Sequence, residues 1–233
     1  MPKKCYFCTE NKKNRDINMF KAALFDLDGV VFDTEPQYTE FWGTQCREFR
    51  PDYPGLEHVI KGQTLVQILD NYFGGELAHC HSLIISRLDD FERNMDFVFV
   101  PGFVKFVKEL RDKGIKTAVV TSSNKDKMKA VYEKVEGFRD LFDAILTSED
   151  FERSKPDPDC YLKASQRFDC KVDECIVFED SFNGLKSGRA AGMKVVGLST
   201  TNTPDSIEPL SDKVIPDYLS FGFEYCNTLV SNN

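Results

Sequence analysis

The sequence has no long hydrophobic run and no excess of positive charge. Its 233 residues carry a net charge of −8, which argues against a general attraction to nucleic acid or anionic membranes. No apolar stretch approaches the roughly 18 residues that a membrane-spanning helix needs. Residues 1–18 are polar throughout and lack the apolar centre of a signal peptide. We therefore expect a cytoplasmic protein that binds neither nucleic acid nor membrane.

Histidine is scarce, with three residues, whereas cysteine is fairly abundant, with eight. Because no export signal is visible, we expect reduced thiols, several of them in the core. Cys5 and Cys8 form a CxxC pair, but a zinc site would need two further ligands, and only His79 and His81 could complete one. We favour the alternative, in which residues 1–18 form a loose polar extension without a metal.

The apolar pattern predicts an α/β fold. Residues 20–27 are a mostly apolar run, typical of a strand buried on both faces. After residue 100, strand and helix patterns alternate, which predicts a parallel sheet in a three-layer α/β/α core. The segment KVIPD, residues 213–217, is predicted as a short edge strand.

A helical insertion interrupts this pattern. Residues 34–99 show helical spacing, and we expect their aromatic side chains to form a small core of their own rather than a stacking surface. We therefore predict a core made of residues 19–33 and 100–233, with residues 34–99 inserted as a separate helical unit.

Polar residues follow four predicted strand segments. In chain order they are Asp26 and Asp28, Thr121 and Ser122, Lys155, and Glu179 and Asp180. Because the carboxyl ends of parallel strands lie along one rim, we expect these side chains to face one cavity. A hard divalent cation such as Mg²⁺ would relieve the repulsion between the carboxylates. The hydroxyl groups and the lysine suit a phosphate. The set predicts phosphoryl transfer on a small phosphorylated metabolite.

The residue types predict a division of roles. Asp26 is the candidate nucleophile, which forms an aspartyl-phosphate. Asp28 is the candidate general acid for the leaving group and then the base for water, and Gly29 permits the turn after it. Each motif alone is weak evidence, because aspartates are common in turns and at helix N-termini. Their joint order at strand ends carries the prediction.

The motifs DLDGVVFDTE, VVTSSN, SKPDPDCY and FEDSFNGLKSGRAAGM resemble those of the haloacid dehalogenase superfamily, in particular β-phosphoglucomutases and sugar-phosphate phosphatases. The resemblance covers roughly residues 20–33 and 100–200, which would form the catalytic core with the rest of residues 19–33 and 100–233. The insertion at residues 34–99 stands where this family places its small helical cap domain. The resemblance implies a Rossmann-like core, Mg²⁺ bound by Asp26, the Asp28 carbonyl and Asp180 with Glu179 close by, and a phosphoryl group held by the residues at 121, 122 and 155. Dehalogenases lack the second aspartate, so Asp28 points to phosphate chemistry.

The sequence departs from the mutases of this family. Tyr38 stands near the position of a mutase histidine, and Gln63 or Thr64 where an arginine is expected. We therefore predict a phosphatase, acting on a sugar phosphate. A phosphosugar mutase is the first alternative, and a non-catalytic phosphometabolite-binding protein is the second.

The insertion is tethered to the catalytic rim at both ends, so it can close as a lid that excludes water. Lys61, Gly62 and Gln63 form the predicted substrate-reading loop of this lid. The alternative is that Lys61 only carries charge at a helix start. Because the lid would cover the cavity in cis, we expect a monomer.

Overall fold

A six-stranded parallel sheet forms the centre of the protein in a computed structural model, which describes residues 20–61 and 63–231. The strands are β1 Ala22–Phe25, β2 Lys116–Val120, β3 Ala144–Leu146, β4 Cys175–Glu179, β5 Lys194–Leu198 and β6 Lys213–Ile215. Their order across the sheet is β3-β2-β1-β4-β5-β6. The chain at KVIPD therefore forms an edge strand, as predicted.

Both faces of the sheet are buried. Along the central strands, Phe25 and Phe178 belong to one hydrophobic cluster, whereas their neighbours Leu24 and Val177 belong to another. Such alternation places successive side chains on opposite faces. The helices outside the insertion are α5 Phe103–Asp112, α6 Lys125–Lys134, α7 Asp159–Arg167, α8 Phe182–Ala190, α9 Pro204–Ile207 and α10 Phe223–Ser231. Helices α5, α6 and α10 cover one face, and α7, α8 and α9 cover the other, which confirms the three-layer α/β/α core.

The inserted segment is helical and has its own hydrophobic cluster. Its helices are α1 Glu35–Phe49, α2 Leu56–Val59, α3 Leu65–Tyr72 and α4 His81–Asn94. Trp42 and Phe73 are buried in this cluster, and other aromatic side chains pack against it. The two connections to the core lie side by side, because the Asp33 amide donates to the Val98 carbonyl at 2.8 Å. The domain boundaries at residues 34 and 99 stay a prediction.

The predictions about cysteines and about membrane-spanning helices can be checked only for residues 20–61 and 63–231. The six cysteines in these ranges are free thiols. Cys5 and Cys8 lie outside the described residues, as does the predicted extension. The ring nitrogens of His79 and His81 bond main-chain carbonyls at 2.7 Å each. Among residues 20–61 and 63–231, no helix is long and apolar enough to cross a membrane.

Candidate active site

The carboxyl ends of the central strands bring the predicted site residues together. Asp26 follows β1, and its amide donates to the carbonyl of Phe178 on β4 at 3.0 Å. The Lys155 ammonium lies 2.6 Å from Asp26 Oδ1 and 2.6 Å from Glu179 Oε1. Three segments that are distant in sequence therefore meet in one ionic cluster at the rim of the sheet.

Lys155 is the buried cation of this cluster, with a side chain 2% exposed. Besides the two carboxylates, it donates to the carbonyl of Val120 at 3.0 Å. Burial disfavours the charged ammonium, but Asp26 and Glu179 outweigh burial and raise the pKa of Lys155 above its ordinary value. The residue therefore stays a fixed positive charge beside the Asp26 carboxylate.

Glu179 is held by several donors. Its Oε1 accepts from Lys155 Nζ at 2.6 Å and from the Tyr161 hydroxyl at 2.7 Å. Its Oε2 accepts from the Asp180 amide at 3.1 Å and from Ser181. Both oxygens of Glu179 are therefore already engaged by donors of the protein itself. The expected role in binding metal stays a prediction for this residue.

An acidic cluster suited to a divalent cation lies at the same rim. Carboxylate oxygens of Asp26, Glu179 and Asp180 lie within 4.8 Å of one another. Burial is the largest influence on Asp26 and, together with Glu179 and Asp28, outweighs Lys155 to raise the pKa of Asp26 to about 7. Burial, followed by neighbouring carboxylates, raises the pKa of Asp180 well above its ordinary value. These carboxylates are hard oxygen donors, and the surrounding protein does not fully offset their negative charge. Such a group of ligands fits Mg²⁺.

Gly29 allows the chain to pass close to this cluster. Its φ is +73°, and a Cβ atom at this position would lie 2.1 Å from Asp180 Oδ2. The left-handed conformation costs a side-chain-bearing residue about 1–2 kcal/mol, and the added methyl group would displace the Asp180 carboxylate. The predicted turn at Gly29 therefore also shapes the acidic cluster.

We predict that Gly29→Ala lowers Mg²⁺ affinity by about tenfold or more, because it moves a carboxylate of the cluster. Gly137→Ala is the matched control: its φ is also +73°, but the nearest atom to an added Cβ is 3.9 Å away. Isothermal titration calorimetry with Mg²⁺ on both folded variants measures the difference. Equal affinity in the two variants would contradict the predicted role of Asp180 as a metal ligand.

The predicted phosphate-binding hydroxyls follow β2. Thr121 Oγ1 accepts from the Ser123 amide at 3.0 Å, so its own proton is available for a ligand oxygen. Ser122 Oγ is buried without a hydrogen-bond partner. Both residues line the same cavity as Asp26 and Lys155. A buried hydroxyl that lacks a partner is costly, and a phosphate oxygen at this position would accept from it.

Three donors that sequence reasoning missed surround Asp28. Thr34 Oγ1 donates to Asp28 Oδ1 at 2.5 Å, and Ser123 Oγ donates to Oδ2 at 3.3 Å. Lys127 Nζ forms an ion pair with Oδ2. The carboxyl group of Asp28 is therefore held by residues of the core and of the connection to the insertion.

A signal for Lys127 exists in the sequence of α6. Lys127 precedes Ala130 and Val131 by three and four residues, and both of these are buried. The spacing places the lysine on the apolar face of the helix. A lysine on a buried face needs a charged partner, so this position could have been singled out.

The cavity above these residues has a volume of about 540 Å³ and is lined by both the sheet rim and the insertion. Lys61 lines it and forms an ion pair with Glu35 at 3.0 Å. Gln63 also lines it, but its amide donates to the carbonyl of Val59 at 3.1 Å and to the Tyr72 hydroxyl at 3.2 Å. Gly62 lies outside the described residues.

A family model described as haloacid dehalogenase-like hydrolase matches residues 20–192 of the chain. The matched range includes the ends of β1, β2 and β4 and the segment that carries Lys155. The chain belongs to this family. The family resemblance carried by the sequence motifs is thereby confirmed, as is the expectation of an enzyme.

One protein that is similar in sequence and two that are similar in fold can be set beside the chain. A protein of Saccharomyces cerevisiae named as a probable pseudouridine-5'-phosphatase is 35% identical over 195 residues, which cover 76% of this chain and 81% of the relative. A family IA, variant 3 hydrolase of Entamoeba histolytica superposes with a TM-score of 0.78 at 22% identity, covering 91% of this chain and 100% of that structure.

A β-phosphoglucomutase of Clostridium difficile has the same fold. It superposes with a TM-score of 0.75 at 20% identity and covers 92% of this chain and 98% of that structure. The likeness to both solved structures supports the α/β fold.

The positions at which this family member departs from the mutases face the cavity. The Tyr38 hydroxyl donates to Glu92 Oε1 at 2.7 Å. Thr64 caps α3 and forms a capping box with Gln67. Among the described residues that line the cavity, the cationic side chains are Lys61 and Lys155, and no arginine is present. The positively charged contact that the resemblance assigns to mutases is therefore not supplied by an arginine here.

Proposed function

We propose that the protein is a Mg²⁺-dependent phosphatase that hydrolyses a small phosphorylated metabolite through an aspartyl-phosphate. The observation that carries the proposal is the position of Asp26. One of its oxygens lies 2.6 Å from the Lys155 ammonium, and the residue belongs to the same acidic cluster as Asp180. A nucleophile, a fixed cation and a metal-binding pair of carboxylates together suit transfer of a phosphoryl group.

Asp26, Asp180 and the main-chain carbonyl of Asp28 are the proposed Mg²⁺ ligands. Bound Mg²⁺ supplies charge neutralisation, which lets one anion approach another. Lys155, Thr121 and Ser122 hold the phosphate oxygens. Glu179 orients Lys155 and keeps its charge in place, so we assign it to the support of the site.

Two displacements complete the proposed reaction. In the first, a carboxylate oxygen of Asp26 bonds to phosphorus, the bond from phosphorus to the leaving oxygen breaks, and Asp28 gives a proton to that oxygen. In the second, Asp28 takes a proton from water, the water oxygen bonds to phosphorus, and the bond to Asp26 breaks. The products are the dephosphorylated metabolite, inorganic phosphate and the original enzyme.

Residues 34–99 are proposed to act as the lid that closes over the leaving group. We propose that the substrate is a sugar phosphate. The yeast relative is named for a nucleoside 5'-phosphate, in which the phosphate is attached to a sugar. Lys61 and Gln63 line the cavity on the lid side and are proposed to contact the substrate. A phosphosugar mutase is the second candidate, because the four motifs resemble those of β-phosphoglucomutases as well as those of phosphatases.

We predict Mg²⁺-dependent release of inorganic phosphate from at least one member of a panel of phosphorylated sugars and nucleosides. Phosphate release with and without EDTA measures this activity. A coupled assay for glucose 6-phosphate formed from β-glucose 1-phosphate measures the mutase reaction in the same samples. Isomerisation without net phosphate release would overturn the phosphatase in favour of the mutase, and activity unaffected by EDTA would contradict the metal.

A further inference from the structure

Lys127 is a buried cation that lies behind the reacting groups. Its side chain is 1% exposed and pairs with Asp28, whose side chain is 16% exposed. Lys127 is absent from the residues that line the cavity, whereas Asp28 lines it. The lysine therefore reaches the reaction only through the carboxyl group that it binds.

The same ammonium contacts the helical insertion. Lys127 Nζ lies 4.6 Å from the centroid of the Tyr38 ring on α1, within the range of a cation–π interaction. The Tyr38 hydroxyl donates to Glu92 on α4 at 2.7 Å. A chain of contacts therefore runs from α4 and α1 of the insertion, through Lys127 on α6, to Asp28.

Stability alone does not account for this arrangement. Bringing an ammonium and a carboxylate out of water costs about as much free energy as their attraction returns, and apolar replacements of buried pairs are often neutral or stabilising. An ion pair does, however, restrict the directions in which its two side chains can point. Together with Thr34 and Ser123, which hold Asp28 from other directions, Lys127 fixes the direction of the Asp28 side chain.

We propose that Lys127 is a positioning residue that aims the Asp28 carboxyl group at the leaving oxygen and links this orientation to the packing of Tyr38 on the core. The inference rests on the proposed function, in which Asp28 protonates the leaving group. If Lys127 positions Asp28, then replacing Lys127 should slow the reaction most for leaving groups that depend on a proton from Asp28.

The test compares two substrates of similar shape. The phenolate of p-nitrophenyl phosphate leaves readily without a proton, whereas the alkoxide of p-nitrobenzyl phosphate needs one. The measured quantity is kcat/KM, because it reports the steps up to formation of the aspartyl-phosphate and excludes the later attack of water. We expect Lys127→Met to lower kcat/KM for p-nitrobenzyl phosphate by about 10–100-fold and for p-nitrophenyl phosphate by less than about threefold.

Three further variants isolate the role of Lys127. Lys127→Arg should restore most of the activity with p-nitrobenzyl phosphate, because it retains the charge. Lys129→Met, an exposed position on the same helix, should leave both substrates unaffected. In an Asp28→Asn background, Lys127→Met should change kcat/KM by less than about threefold, since residues that act through one group are not additive. If Lys127→Met does not fold, Lys127→Gln, which retains a hydrogen-bond donor, replaces it in every comparison.

Parallel losses with both substrates, or full additivity with Asp28→Asn, would overturn the positioning role and leave Lys127 as a structural residue. Failure of the proposed function is distinguishable from this outcome. In that case Asp26→Asn would retain the hydrolysis of both substrates, whatever the effect at Lys127.

Discussion

Asp26→Asn is expected to reduce kcat/KM for every phosphate ester that the protein hydrolyses by at least about 10⁴-fold, because the amide cannot accept the phosphoryl group. The substitution keeps the shape of the side chain and the proximity of its oxygen to Lys155. Release of p-nitrophenol from p-nitrophenyl phosphate at saturating Mg²⁺ measures the loss.

Stability measurements provide the control for Asp26→Asn. The pKa of Asp26 lies at about 7 in the folded protein and at 3.8 ordinarily. The folded state therefore holds the proton more tightly, and this group makes the protein less stable as the pH rises between these values. Without metal at pH 8, the variant should unfold at a temperature no lower than the parent protein. Activity retained in a folded variant would contradict the nucleophile.

Lys155→Met is expected to lower the free energy of unfolding by about 3–5 kcal/mol at neutral pH, because it leaves buried carboxylates without their cation. Asp26 and Glu179 both lie 2.6 Å from the Lys155 ammonium. Hydrolysis should be lost as well, since the phosphate would meet uncompensated negative charge. Urea unfolding of the metal-free protein measures the change in stability.

Two comparisons separate this effect from the loss of any lysine. Lys163→Met removes ion pairs in which the lysine side chain is 31% exposed, so it should cost no more than about 1 kcal/mol. Adding Glu179→Gln to Lys155→Met should restore part of the stability, because it removes one uncompensated charge. If the two substitutions instead lower the free energy of unfolding additively, the buried ion pair does not account for the stability.

The sheet and the assembly of its rim could be predicted because each depends on local patterns. Continuous apolar runs identify buried parallel strands, and a polar residue directly after such a run has few places to lie except at the rim. Asp26, Thr121 and Asp180 all follow strands in this way, so their proximity was accessible from the sequence. The order of strands was not needed to bring them together.

The contacts among the site residues could not be predicted in the same way. The adjacent carboxylates Glu179 and Asp180 differ in their surroundings: Glu179 accepts from Lys155 and Tyr161, whereas Asp180 accepts from Thr201. These partners come from remote segments whose side-chain directions depend on tertiary packing. Residue type alone therefore could not predict that these two neighbouring carboxylates have different hydrogen-bond partners.

The inserted segment shows the same limit. Its helical spacing predicted helices with a small aromatic core, and Trp42 and Phe73 lie in that core. Lys61 and Gln63 of the predicted loop line the cavity, but the sequence did not predict the contacts that they make. Gln63 forms hydrogen bonds with other residues of the insertion. Lys61 forms an ion pair with Glu35, and the two residues are too far apart in sequence for helical spacing to predict this contact.

The most direct test of the account is to trap the phosphorylated enzyme. Rapid acid quenching during turnover, followed by borohydride reduction and peptide mass spectrometry, converts an aspartyl-phosphate to homoserine at the modified position. We expect homoserine at residue 26 in samples with substrate and Mg²⁺, and no homoserine there when EDTA or Asp26→Asn is used. Reduction at another residue, or none in an enzyme quenched during measurable hydrolysis, would contradict the role of Asp26.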